Sequence, residues 1–263
     1  MSWPSHIVSK GAVRGAAAIL LCLALWEVFA RTGRSASLTP PLEQIAAILW
    51  EMLSDGTIAI NTLYTLGRVL LGLAIAAAIA IPLGLLMGRS RFAERFFLPV
   101  VSVLLPIPSL AWVPLFLLWF GIGNNATLAV VVYASSFPLI YNVWAGVRSV
   151  HPLWTRAATV MGADSLALWR KVILPASLPY IIAGTRLSVG RAWIGVIGGE
   201  MLASPAYGLG QVIFNAKEFL NAGVMLSALI VIGLIGVATE RLIFNTLEEA
   251  TIRKWGMAAS TRR

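Results

Sequence analysis

Few residues in this chain carry chemistry, and they are scattered. Two histidines, His6 and His151, and one cysteine, Cys22, fall in separate segments, so they can build neither a metal cluster nor an intrachain disulfide. No Gly-x4-Gly-Lys-Ser/Thr stretch is present, and without it there is no glycine backbone and lysine to cradle nucleotide phosphates. What remains is a small set of ionisable side chains inside apolar runs. Arg186 and Arg191 lie within one run, with Glu200 near its end. A charge at the centre of a membrane helix costs ~2.5–3.5 kcal/mol on insertion scales, so each asks for a reason. Arg191, near the middle, is expected either to attract an anionic solute or to be neutralised by a carboxylate or by carbonyls of an interrupted helix. Arg186, nearer one end, is either a second pathway cation or a snorkelling side chain. Glu200 is either a group that orients a gate or meets an external protein, or a plain surface carboxylate. Ser135, Ser136, Tyr133 and Asn142 give another run polar atoms that could line a path, and Asn142 needs a partner if it faces inward.

The elements that position these groups can be read from composition. With 59% hydrophobic and 12% charged residues and a mean hydropathy of +0.84, the chain lacks the roughly 25% charged content of a soluble globule. It is read as an all-α, polytopic membrane protein. Its 263 residues suit one domain of about six spans of ~20 residues, expected near 12–31, 62–88, 96–120, 126–148, 179–202 and 223–245. The first run could be a secretory signal, but its length, Trp26 and Glu27 favour a retained helix. After Pro40-Pro41, the positions Leu42, Ile45, Ile48, Leu49, Met52 and Leu53 line one face of an interfacial amphipathic helix. The third run holds Pro99, Pro106, Pro108 and Pro114 and should break near Pro106-Ile107-Pro108, burying the loose backbone in protein or against a wet cavity. Gly84-x3-Gly88 and Gly195-x3-Gly199 either permit close helix packing or are ordinary membrane-helix glycines. No repeated half or low-complexity tract is visible.

The net charge of +9 does not point to nucleic acid, because the basic residues are scattered between apolar segments rather than gathered on one face. They report topology instead. With the amino terminus inside, fourteen Lys and Arg fall on the cytoplasmic side, Arg253, Lys254, Arg262 and Arg263 of the tail among them, against Arg31, Arg34 and Lys217 outside. That asymmetry predicts both termini, and the polar interval 151–178, in the cytoplasm.

Within that interval Trp154, Ala157, Ala158 and Met161 repeat at helical spacing and Gly162 stops the turn. Asp164 or Ser165 caps a second helix through Leu166, Trp169, Arg170 and Val172, and Pro175 and Pro179 are expected to end it. Periodicity alone fits an amphipathic hairpin lying on the membrane surface equally well.

The spacing Ala157-Ala158-x3-Gly162-x9-Val172-x-Leu174-Pro175 resembles the "EAA" loop of bacterial ABC importer permeases, the cytoplasmic coupling element that seats in a groove of the ATPase. The resemblance assigns that contact to Arg156, Ala157, Ala158, Gly162, Ala163, Leu174 and Pro175. It departs at one place, since the family's acidic residue falls at position 156, which is Arg156 here. Thr65-Leu66-Gly67-Arg68-Val69-Leu70-Leu71-Gly72, the stretch from Pro106 to Pro114, Trp119 to Gly123, Gly199 to Ser204 and Gly208-Leu209-Gly210 are similar to the nitrate/sulfonate/taurine branch.

The resemblance implies a MetI-like fold in the bacterial inner membrane, working with a second permease copy as a homodimer. It also implies two ATPase subunits that bind ATP and Mg, an extracytoplasmic binding protein, and no catalytic, cofactor or metal site in this chain. The solute it implies is a small anion, although related permeases carry uncharged heterocycles or aromatic acids. A membrane enzyme would need clustered His, Asp or Cys. A channel or secondary carrier would need midplane carboxylates or paired repeats.

Overall fold

The computed structural model describes residues 5–32 and 38–248; Arg34 and the tail with Arg253, Lys254, Arg262 and Arg263 lie outside them. Every regular element among the described residues is helical: α1 Ser5–Thr32, α2 Leu42–Ser54, α3 Thr57–Arg89, α4 Arg91–Leu104, a 3₁₀ turn Ser109–Trp112, α5 Val113–Phe120, α6 Asn124–Arg148, α7 Pro152–Val160, α8 Ser165–Leu168, a π-helical segment Trp169–Ile173, α9 Leu174–Ala203, α10 Leu209–Glu218 and α11 Ala222–Glu248. Among these, five helices are long and apolar enough to cross a bilayer, and α4 with Ser109–Phe120 makes a sixth if the bent pair is one span. By contact, the chain divides into two compact units, residues 1–59 with 212–231 and residues 60–211 with 232–263.

In the smaller unit, Pro41 starts α2 and has no side chain able to cap it. Glu27 of α1 supplies the acceptor instead, taking the Leu42 N–H at 2.9 Å, a carboxylate placed where the helix dipole favours negative charge. The predicted apolar face is there, with Ile45 and Met52 buried and Leu53 exposed. Ser227 of α11 donates to the Ile45 carbonyl at 3.3 Å, fixing α2 against that helix.

In the larger unit α6 is the central element, more than half buried. Glycines let its neighbours close on it. A Cβ at Gly84 of α3 would meet Val143, and one at Gly195 of α9 would meet Ala134 at 3.1 Å. The Gly-x3-Gly pairs are therefore packing devices. Asn142 donates to the Pro138 carbonyl at 2.8 Å within α6, so it finds its partner in its own helix while its Cβ packs on Gly184.

The third apolar run breaks at the expected place, the two halves meeting at 92°. Tyr133 Oη donates to the Leu104 carbonyl at 2.9 Å, satisfying backbone that the break leaves open.

One expectation is corrected. Pro175 and Pro179 do not end a helix, because Ser165–Ala203 is continuous over 39 residues. The π-helical segment explains how: Leu174 donates its N–H to the carbonyl of Trp169, five residues back, and the extra residue in that wide turn makes room for a proline ring without an N–H. The fifth apolar helix thus begins well ahead of residue 179.

Candidate functional site

The polar hairpin is built from local rules. His151 caps α7, its Nδ1 accepting the Leu153 N–H at 3.2 Å, and Pro152 takes the first helical turn. At the other end the Gly162 N–H reaches the Thr159 carbonyl and the Ala163 N–H the Ala158 carbonyl, each at 3.0 Å, with Gly162 at φ +81°. This is the paired closure that a left-handed glycine provides. Asp164, rather than Ser165, caps α8 by accepting the Ala167 N–H at 2.7 Å.

The hairpin places its assigned residues outward. Arg156, Ala157, Gly162 and Leu174 are exposed, whereas Ala158, Ala163 and Pro175 are half-buried. Val160 and Met161 at the tip are 88% and 87% exposed. Arg156 makes no hydrogen bond or ion pair among the described residues. At the base, the Arg89 guanidinium lies 5.7 Å from the Trp169 ring centre, tying the π-helical segment to the end of α3.

Glu200 departs from the surface reading altogether: it is fully buried. Arg68 Nη1 donates to its Oε1 at 2.6 Å and the Gly210 N–H to its Oε2 at 2.8 Å, while the Thr65 hydroxyl lies 2.9 Å from Oε1 and also accepts the Leu209 N–H at 3.0 Å. The rest of the Arg68 guanidinium is held by Asn124 Oδ1, and Asn61 Oδ1 accepts the Gly208 N–H at 2.7 Å. Gly208, at φ +153°, lies against the carboxylate so closely that a Cβ there would overlap it. The result is a closed knot joining α3, α6, α9 and the turn into α10. It can hold these elements in register, and no side of the carboxylate is left for a solute.

The other candidates separate by burial. Ser135 and Ser188 face each other across α6 and α9, the Ser188 hydroxyl donating to the Ser135 carbonyl at 2.8 Å, both fully buried. Ser136 donates to Val132 O at 2.7 Å in its own helix. Arg186 and Arg191 are exposed on α9. Arg191 has no ion pair or hydrogen bond among the described residues.

Thr65, Arg68, Asn61 and Asn124 are not marked by their own spacing. The available signals are the Thr65–Gly72 and Gly208–Gly210 stretches of the resemblance, which prove to be the two sides of one contact.

With this arrangement in view, the stretch 80–246 matches the family described as "binding-protein-dependent transport system inner membrane component", and the chain belongs to that family. It is 32% identical over 231 residues to the taurine transport system permease protein TauC of Escherichia coli, covering 86% of this chain and 83% of that one. To the nitrate import permease protein NrtB of Synechocystis sp. it is 29% identical over 247 residues, covering 91% and 89%. Its fold is similar to that of a chain of the MetNI methionine ABC transporter solved in inward-facing conformations, with TM-score 0.61 and 21% identity over 73% of this chain and 94% of that one.

Proposed function

We propose that this chain is the permease of an ATP-driven importer that carries a small oxyanion of the sulfonate, taurine or nitrate kind. The observation that carries this reading is the hairpin 151–168, where Val160 and Met161 are held almost wholly in the open by a backbone closure that devotes a glycine and two caps to rigidity. A rigid polar hairpin with an apolar tip is a surface made for a partner. The partner is an ATPase subunit, two per transporter, which binds ATP and Mg and drives the permease pair through this contact. A second copy of the chain completes the pathway, and a binding protein delivers the solute from the opposite side. Both termini and the hairpin face the cytoplasm. The oxyanion assignment is supported by the names of the relatives and by the Arg191 cation on α9.

The test is reconstitution with candidate ATPase and binding-protein subunits from the same organism. ATP-dependent uptake of taurine, an alkanesulfonate or nitrate, lost together with ATPase capture in Met161→Glu, is the expected result. Uptake without ATP, or no capture of the ATPase by the native chain, sinks the proposal.

A further inference from the structure

The two long sides of α9 differ in chemistry. Toward α6 it buries Ser188, Ala192, Gly195, Gly199 and Glu200, while Leu187, Arg191 and Ile194 are exposed. Nine residues separate Arg191 from Glu200, about two and a half turns, which sets them on opposite faces. Seven residues separate Arg191 from Gly198, about two turns, which sets those two on one line roughly 10 Å apart along the axis. Gly198 packs directly under Leu110, just past the interruption of the third apolar run. That contact carries Arg191 to the break itself, where it walls a cavity of about 180 Å³ with Pro106, Ile107, Pro108, Ser109 and Tyr133. Arg191 also walls a second cavity of about 630 Å³ that includes Arg186 and Ile194.

From this shared wall we infer that Arg191 and the Pro106–Ser109 turn form an oxyanion subsite through which the solute passes between the two cavities. The inference rests on the reading of the chain as an anion importer and locates the anion within it. Two arginines of this unit have opposite fates: Arg68 is neutralised by Glu200 and shared with Asn124, whereas Arg191 has no such partner among the described residues. The Leu104 carbonyl at the break does not stand in for a counter-ion, since its two donors are the Tyr133 hydroxyl and the Ile107 N–H rather than Arg191. A guanidinium without a counter-ion, in an apolar setting, is a receptor for one, and its planar fork matches two oxygens of a sulfonate or nitrate group. The smaller cavity holds about six waters' worth of volume at ~30 Å³ each, enough for a solute of a few heavy atoms and too small for a nucleotide or peptide.

The experiment needs no natural solute. In the assembled transporter with Cys22→Ser, the thiol of Ser109→Cys is reacted with a sulfonate-bearing and a trimethylammonium-bearing methanethiosulfonate, each rate normalised to a free thiol. The anionic reagent is expected to be favoured about tenfold, with Arg191→Lys keeping the preference and Arg191→Gln abolishing it. Millimolar nitrate or taurine should slow the anionic reagent in the Arg191 protein only. Equal normalised rates with Arg191 present, a preference unmoved by Arg191→Gln, or no protection by either anion overturns the subsite. If the preference and protection hold but the reconstituted transporter moves only an uncharged solute, the anion-importer reading falls and the subsite stands.

Discussion

Arg68 donates to Glu200 at 2.6 Å from 132 residues away in sequence, and both side chains are closed off from solvent. The pair links α3 to α9, and Thr65 and Gly210, the latter in the first turn of α10, add two further donors to the same carboxylate. Charge is thereby kept inside an apolar unit by giving both carboxylate oxygens and all three guanidinium nitrogens a partner, which is the condition under which a buried ion pair is tolerated.

Removing one member should therefore cost much more than removing both. Arg68→Met or Glu200→Leu alone leaves one buried charge uncompensated, at about 3–5 kcal/mol. Arg68→Met combined with Glu200→Leu, apolar on both sides, should recover most of that loss. Thermal unfolding of the four purified proteins in detergent gives the cycle directly. Losses that add independently would show that the contact is not what couples the helices.

Gly162 separates conformation from partner contact. Nothing lies within 4 Å of a Cβ built there, but φ is +81°. Gly162→Asn, whose side chain tolerates that region, should leave the hairpin intact, whereas Gly162→Val should loosen it by about 1–2 kcal/mol, read as faster amide exchange over 151–164. Gly162→Glu points a charge into the open space where the ATPase is proposed to seat, and is expected to abolish ATPase capture even where the protein reaches the membrane. Native capture by Gly162→Glu would remove Gly162 from the contact.

The hairpin is legible in the sequence because its instructions are local: a capping Asp, a glycine that turns left, small residues beside it. The broken third run is legible for the same reason, since the prolines at 106 and 108 write the break in place. The path beyond the hairpin is not legible in this way. A proline reads as a stop unless the wide turn at Trp169–Ile173 is foreseen, and that turn is a property of the backbone path and not of one residue type. Glu200 is hidden for a different reason. A carboxylate near the end of an apolar run has the same local signature whether it faces water or an arginine, and Arg68 lies too far off in sequence for spacing to reveal it.

The predicted topology can be tested at two positions, and the structure decides which. Gly208 is unsuitable for labelling, since a side chain there would overlap the Glu200 carboxylate. Ala206, two residues earlier, is exposed, as is Ser165 at the start of α8. In a Cys22→Ser background, Ser165→Cys should react with a membrane-impermeant maleimide only from inverted vesicles, and Ala206→Cys only from right-side-out cells. The distribution of Lys and Arg sets the direction, and the continuous helix Ser165–Ala203 supplies the crossing, its 39 residues exceeding the ~20 needed to span the hydrocarbon. Labelling of both thiols from one side would mean that this helix does not cross, and the hairpin could then not meet an ATPase on the opposite side from a binding protein.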